Sequence, residues 1–81
     1  MQVNVLLFAH ARQLLDTDSV SLDLEQESSL SDLRNALASA HPDLEPLLSR
    51  STFSINQNYA TDEDTIPDGA EIALIPPVSG G

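Results

Sequence analysis

Only one stretch of this chain repeats its apolar residues at helical spacing for long enough to make a full helix. Leu30, Leu33, Leu37 and Ala40 recur three or four positions apart, with Ala36 beside them. Ser29 is a good N-cap, and Asp32 three residues on comes close to a capping box. His41-Pro42 ends the run, because the residue before proline avoids the helical region. The pattern predicts a helix over 30–40. A chain of 81 residues is one domain. With a single full helix, it must lay that helix's apolar stripe on something flat.

The flanking segments supply the flat layer. Val3, Val5 and Leu7 alternate with Gln2, Asn4 and Leu6, which predicts a strand over 2–9. Its core side carries Val3, Val5 and Leu7, and Leu6 and Phe8 point the other way. Ala9 to Leu15 reads as a short helical turn, ended by Asp16-Thr17-Asp18. Val20, Leu22 and Leu24 alternate with polar residues in a second strand at 19–25. Beyond the helix, Leu44, Leu47 and Leu48 suggest one more helical turn. Phe53 and Ile55 flank Ser54 in a third strand, Asn56-Gln57-Asn58 is a tight polar turn, and Tyr59-Ala60 returns as a short fourth strand. Thr61 to Asp64 is an exposed acidic loop, Ile66 a lone apolar anchor, and Pro67-Asp68-Gly69 a turn. Glu71 to Ile75 forms the last strand, stopped by Pro76-Pro77, since proline donates no backbone hydrogen bond.

Strand, strand, helix, strand, short strand, strand fits a mixed sheet of four to five strands with one main helix across one face. That is an α+β chain of the ubiquitin-like β-grasp class. The first and last strands are expected as parallel neighbours at the centre, with the helix in the crossover. A ferredoxin-like fold needs a second full helix, which the sequence lacks. The expected division is a β-grasp domain over 1–76 and a flexible tail over 77–81.

Composition then removes classes of function. No cysteine is present, so there is no disulfide framework, thiolate zinc site or cysteine nucleophile on this chain. The net charge is −10, carried against three arginines and no lysine. Such a surface repels phosphate backbones and is steered towards basic partners, so no nucleic acid is expected. Apolar runs are too short for a membrane helix, and no signal-peptide pattern opens the chain, so a cytoplasmic location is expected. His10 and His41 are far apart in sequence and lack ligand-like companions. Asp62-Glu63-Asp64 lacks the glycine and spaced oxygens of a calcium loop. No bound metal or cofactor is expected.

The remaining reactive group is at the end, Pro76-Pro77-Val78-Ser79-Gly80-Gly81. Extended, Pro77 to Gly81 reaches roughly 17 Å at about 3.3–3.6 Å per residue. Gly80 and Gly81 have no side chains and can pass along a narrow channel. A terminal α-carboxylate is ionised at neutral pH and is a poor electrophile. It needs activation, for which acyl-adenylation is the obvious route, and the chain has no nucleotide site of its own. Replacing the activated oxygen with sulfur gives a thiocarboxylate that can deliver sulfur to an electrophilic carbon. The bland alternative is a frayed end whose glycines are incidental.

Leu7-Phe8-Ala9-His10-Ala11-Arg12-Gln13-Leu14, Ile55-Asn56-Gln57, Pro67 to Ala73 and the terminal Pro-Pro-Val-Ser-Gly-Gly together resemble the small subunit of molybdopterin synthase over nearly the whole chain. The resemblance implies a ubiquitin-like sulfur carrier, one subunit of a heterotetrameric sulfurtransferase, with no complete active site of its own. It implies that Gly81 is adenylated by an ATP-dependent activating enzyme and then thiocarboxylated, with Gly80 giving the tail access. Sulfur would pass to cyclic pyranopterin monophosphate, forming the dithiolene of molybdopterin. The partners implied are the large synthase subunit and the activating enzyme, and ATP belongs to the latter. The tail residues Pro76, Pro77, Val78 and Ser79 would enter the large subunit. Phe8 and Ile75, joined by Tyr59, are expected as a gripping patch on the uncovered sheet face. The chain departs from the family pattern at Gln13, where an acid is common, and at Leu74 and Ile75, where aromatics are common. Other readings are a β-grasp carrier for thiamine or tRNA thiolation, a plain interaction module, and a protein modifier joined through Gly81. Lacking lysine, such a modifier cannot build side-chain isopeptide chains with itself.

Overall fold

The computed structural model describes residues 1–76. The elements are β1 (Gln2–Leu6), α1 (Ala9–Leu15), β2 (Ser19–Asp23), α2 (Leu30–Ala40), α3 (Glu45–Leu48), β3 (Thr52–Ile55), β4 (Asn58–Ala60) and β5 (Glu71–Ile75). A 3₁₀ turn, Pro42–Leu44, leads into α3. The five strands form one sheet in the order β2-β1-β5-β3-β4. β1 and β5 run parallel at its centre, and the other neighbours are antiparallel. The parallel pair requires a crossover, and α2 lies within it. This is the mixed β-grasp sheet expected from the sequence.

Alternation sorts the side chains. Val20, Val5, Ile72 and Ile55 stand opposite one another across four strands, as do Leu22 with Val3 and Leu74 with Phe53. This face meets Leu30, Leu33 and Leu37 of α2, together with Leu44, Leu48 and Ile66, all buried. Ala40 differs from expectation. It is exposed at the helix end, and Ala38 packs against the core instead.

Helix α2 starts with its capping box complete. The Asp32 N–H donates to Ser29 Oγ at 3.2 Å, and the Ser29 N–H donates to Asp32 Oδ2 at 2.9 Å. The acidic 61–64 loop serves the same helix end. The carbonyl of Asp64 accepts from the Leu30 N–H and that of Asp62 from the Ser31 N–H, each at 3.0 Å. Backbone donors that every helix start leaves open are thereby filled. Ile66, whose N–H reaches the Ser28 carbonyl at 2.9 Å, pins the loop into the core.

Two strands are shorter than their alternation suggested. β1 stops at Leu6 and β2 at Asp23. The Leu7 N–H still donates to the Asp18 carbonyl at 2.8 Å, and Phe8 keeps an extended backbone as the N-cap of α1. Ala9 then takes a left-handed φ of 48°, which turns the chain out of the sheet. The β3–β4 turn has positive φ at both Asn56 and Gln57, the twist that two-residue hairpins favour.

Candidate functional site

The sheet face turned away from α2 is built from the opposite alternation. Register places Leu6, Ala73, Ser54 and Tyr59 in one row across β1, β5, β3 and β4. Asn4 stands beside Glu71, and Thr52 beside Ile75. Ala73 and Ser54 are small, yet they are only 7% and 8% exposed. Larger neighbours rise around them. Phe8 is 45% and Tyr59 79% exposed.

Together these residues enclose an open depression of about 360 Å³. Its floor is Ala73 and Ser54. Leu6, Phe8, Tyr59 and Ile75 form apolar walls, and Gln57 and Glu71 complete the rim. The structure therefore brings Phe8, Tyr59 and Ile75 into one place. Phe8 gets there because the chain stays extended past the end of β1. Pro76 follows Ile75 directly and is half-buried. Pro77, Val78, Ser79, Gly80 and Gly81 lie outside the described residues.

Sequence reading did not single out Ser54, Gln57 or Glu71. The signal for Ser54 was its place between Phe53 and Ile55, which sends it to the face opposite the core. Glu71 becomes part of the rim only through its pairing with Asn4 in the neighbouring parallel strand.

A second, more polar depression of about 600 Å³ lies beside α1, lined by Ala9, Arg12, Gln13, Asp16, Thr17 and Asp18. Arg12 Nε pairs with Asp18 Oδ1 there at 2.7 Å, and both side chains are largely exposed. Such a pair contributes little to stability. Arg34 is held differently. From α2 it donates to the carbonyls of Leu48 and Ser51 and to Asp62 Oδ1, and its guanidinium sits 5.0 Å from the centre of the Phe53 ring. It fastens the helix to the chain on both sides and is structural.

His10 is exposed on α1, and His41 is half-buried at the end of α2. Among the described residues no group of three or more His, Cys, Asp or Glu side chains is placed to hold a metal ion. Nor is any helix of the described residues long and apolar enough to cross a membrane. What the arrangement offers is an uncovered face with apolar walls at the point where β5 ends and Pro76 follows.

Comparison with known proteins places this geometry. The family model described as "ThiS family" matches residues 5–81. A molybdopterin synthase sulfur carrier subunit of Chlamydomonas reinhardtii is 35% identical over 83 aligned positions that cover all of both chains. One from Dictyostelium discoideum is 39% identical, covering 99% of this chain and 96% of its own. Among solved structures, SAMP1 from Haloferax volcanii superposes with a TM-score of 0.85 at 29% identity, covering both chains completely.

Proposed function

We propose, for a chain that belongs to the ThiS family and to its molybdopterin synthase sulfur carriers, that the Gly81 carboxylate is its working group. The observation that carries this reading is the exit of β5. The central strand delivers Ile75 to the wall of the uncovered depression, so a partner held on that face stands next to the point where the chain continues into Pro76 and towards Gly81.

The chemistry follows from what the chain lacks. With no cysteine and no nucleotide-binding motif in the sequence, the carrier reading leaves activation of Gly81 to another protein. An activating enzyme supplies ATP. The Gly81 carboxylate oxygen attacks the α-phosphorus, pyrophosphate leaves, and a glycyl adenylate forms. Hydrosulfide then displaces AMP at the acyl carbon and loses its proton, or a persulfide displaces AMP and a thiol reductively cleaves the resulting S–S bond; either route leaves a thiocarboxylate. In the large synthase subunit that sulfur displaces an oxygen substituent from a carbon of cyclic pyranopterin monophosphate, forming a thioester to Gly81; water then cleaves the acyl–sulfur bond, which returns the carboxylate and leaves the sulfur on the pterin. The carrier's own residues contribute the docking face, the reach of the tail and the narrow passage that two glycines allow.

The test is an intact-mass measurement after incubation with the activating enzyme, ATP and a sulfur source. The reading predicts a mass gain equal to sulfur replacing one oxygen, located at Gly81. A carrier that remains unchanged, while a validated relative is converted in parallel, contradicts it.

The likeness to the small archaeal modifier protein 1 of Haloferax volcanii favours a second reading, in which the activated Gly81 is passed to an amine of another protein. Its signature in the same experiment is a new amide-linked conjugate in place of a thiocarboxylate.

A further inference from the structure

The depression on the uncovered face is apolar in its walls and polar at two chosen points. Ser54 is 8% exposed on its floor, and its hydroxyl has no hydrogen-bond partner among the described residues. Its Oγ is not among the buried unpartnered atoms, so it faces the opening of the depression and is free to meet an occupant. Glu71 stands on the rim, exposed, and forms no ion pair among the described residues. None of the three arginines is its partner. Arg12 pairs with Asp18, Arg34 is tied to Asp62 and two carbonyls, and Arg50 donates to the Pro46 carbonyl. The sequence contains no lysine.

An occupant that satisfies this lining needs an apolar stem and a flat, cationic, hydrogen-bonding head. The stem would lie over Ala73, Leu6 and Ile75. The head would meet Glu71 and Ser54, flanked by the rings of Phe8 and Tyr59. A guanidinium fits best. Its planar fork matches a carboxylate, and it stacks on aromatic faces, where an ammonium is held less well. An aliphatic or phenyl side chain would leave Ser54 unpaired and Glu71 partly desolvated.

We infer that this depression receives the side chain of one arginine from the large synthase subunit, with Glu71 and Ser54 as its polar contacts. The inference rests on the sulfur-carrier reading and names the chemistry by which that partner is recognised. On a chain of net charge −10 it also separates local recognition from general steering. Steering acts on association rates and is shared by all surface acids, whereas an acid such as Glu71, exposed in the free chain but enclosed once the guanidinium is seated, acts on dissociation.

Calorimetric titration and dissociation kinetics against the purified large subunit test it, with an unfolding curve for every variant. Glu71→Gln is expected to weaken the complex about tenfold in dilute buffer through faster dissociation, with a smaller loss at about 0.5 M salt. Ser54→Ala is expected to cost about three- to tenfold at either salt concentration. Ala73→Leu, which raises the floor, is expected to abolish detectable binding in a chain that still folds. Glu63→Gln, on the loop that caps α2, serves as the steering control and should stay within about twofold of the unaltered chain. The inference is overturned if Glu71→Gln binds normally while Ala73→Leu is blocked, since the occupant is then apolar. It is equally overturned if Glu63→Gln costs as much as Glu71→Gln. If the unaltered chain does not bind the large subunit at all, the carrier reading fails and takes this inference with it.

Discussion

The two faces of the sheet are made from the same strands and have opposite fates. On one, Val3, Val5, Ile72, Leu74 and Phe53 are closed over by the leucines of α2. On the other, Leu6, Ala73, Ser54 and Tyr59 surround a depression that no element of the described residues covers. The difference comes from the single full helix, which can shield only one side. A chain of this size buries only about 60% of its unfolded surface, so leaving sheet exposed is a general constraint of small domains. What is particular here is that the open side is ringed by Phe8, Tyr59 and Ile75 at the root of the tail. Exposed apolar residues gathered in this way mark interaction sites.

If the comparison is sound, the faces must answer mutation differently. The largest effect on folding is expected at Leu33 and Leu37, both fully buried on the α2 stripe. Leu33→Ala and Leu37→Ala should each destabilise the domain by about 2–5 kcal/mol, read from denaturant midpoints. Midpoints that barely move would mean that α2 is not the covering layer.

Arg34→Ala comes next, at about 1–3 kcal/mol. It removes hydrogen bonds to the Leu48 and Ser51 carbonyls and the contact with the Phe53 ring, and it frees Asp62 from the helix. The same unfolding curves measure it. A loss of only a few tenths would show that the guanidinium is replaceable by water.

The smallest folding effects are expected on the open face. Phe8→Ala and Ile75→Ala should each cost under about 1.5 kcal/mol of stability, less than Leu37→Ala. They should nevertheless weaken association with the large subunit by more than about 1 kcal/mol, measured by calorimetric titration. The reverse pattern, stability lost and affinity kept, would erase the distinction between the faces.

Most of the sheet was legible because alternation is a strong signal when one face is buried. The β1 and β5 patterns required two sides, and the stripe of α2 required a surface. Helix α2 was legible to its ends, since Ser29, Asp32 and His41-Pro42 act over neighbouring positions. The limits of β1 and β2 were not, because apolar alternation continues through Leu7 and Leu24 after strand pairing has stopped. Leu7 stays buried without belonging to the ladder. The role of the 61–64 loop was hidden for another reason. It caps α2 with backbone carbonyls, which carry no side-chain signature. Arg34 was hidden likewise, its chief acceptors being carbonyls 14 and 17 positions away. In the site, Phe8, Tyr59 and Ile75 could be placed by face and order of strands. Ser54 and Glu71 needed the register between strands distant in sequence, which turn lengths alone do not supply.

The central claim is that one face folds the chain and the other presents a tail whose final carboxylate does the work. The direct measurement is product formation by a reconstituted synthase supplied with a carrier extended by one alanine after Gly81. The account predicts an unchanged circular dichroism spectrum and unfolding midpoint, retained association with the large subunit, and no dithiolene product. Normal product yield from the extended chain would contradict it, because the reactive group would then not be the Gly81 carboxylate.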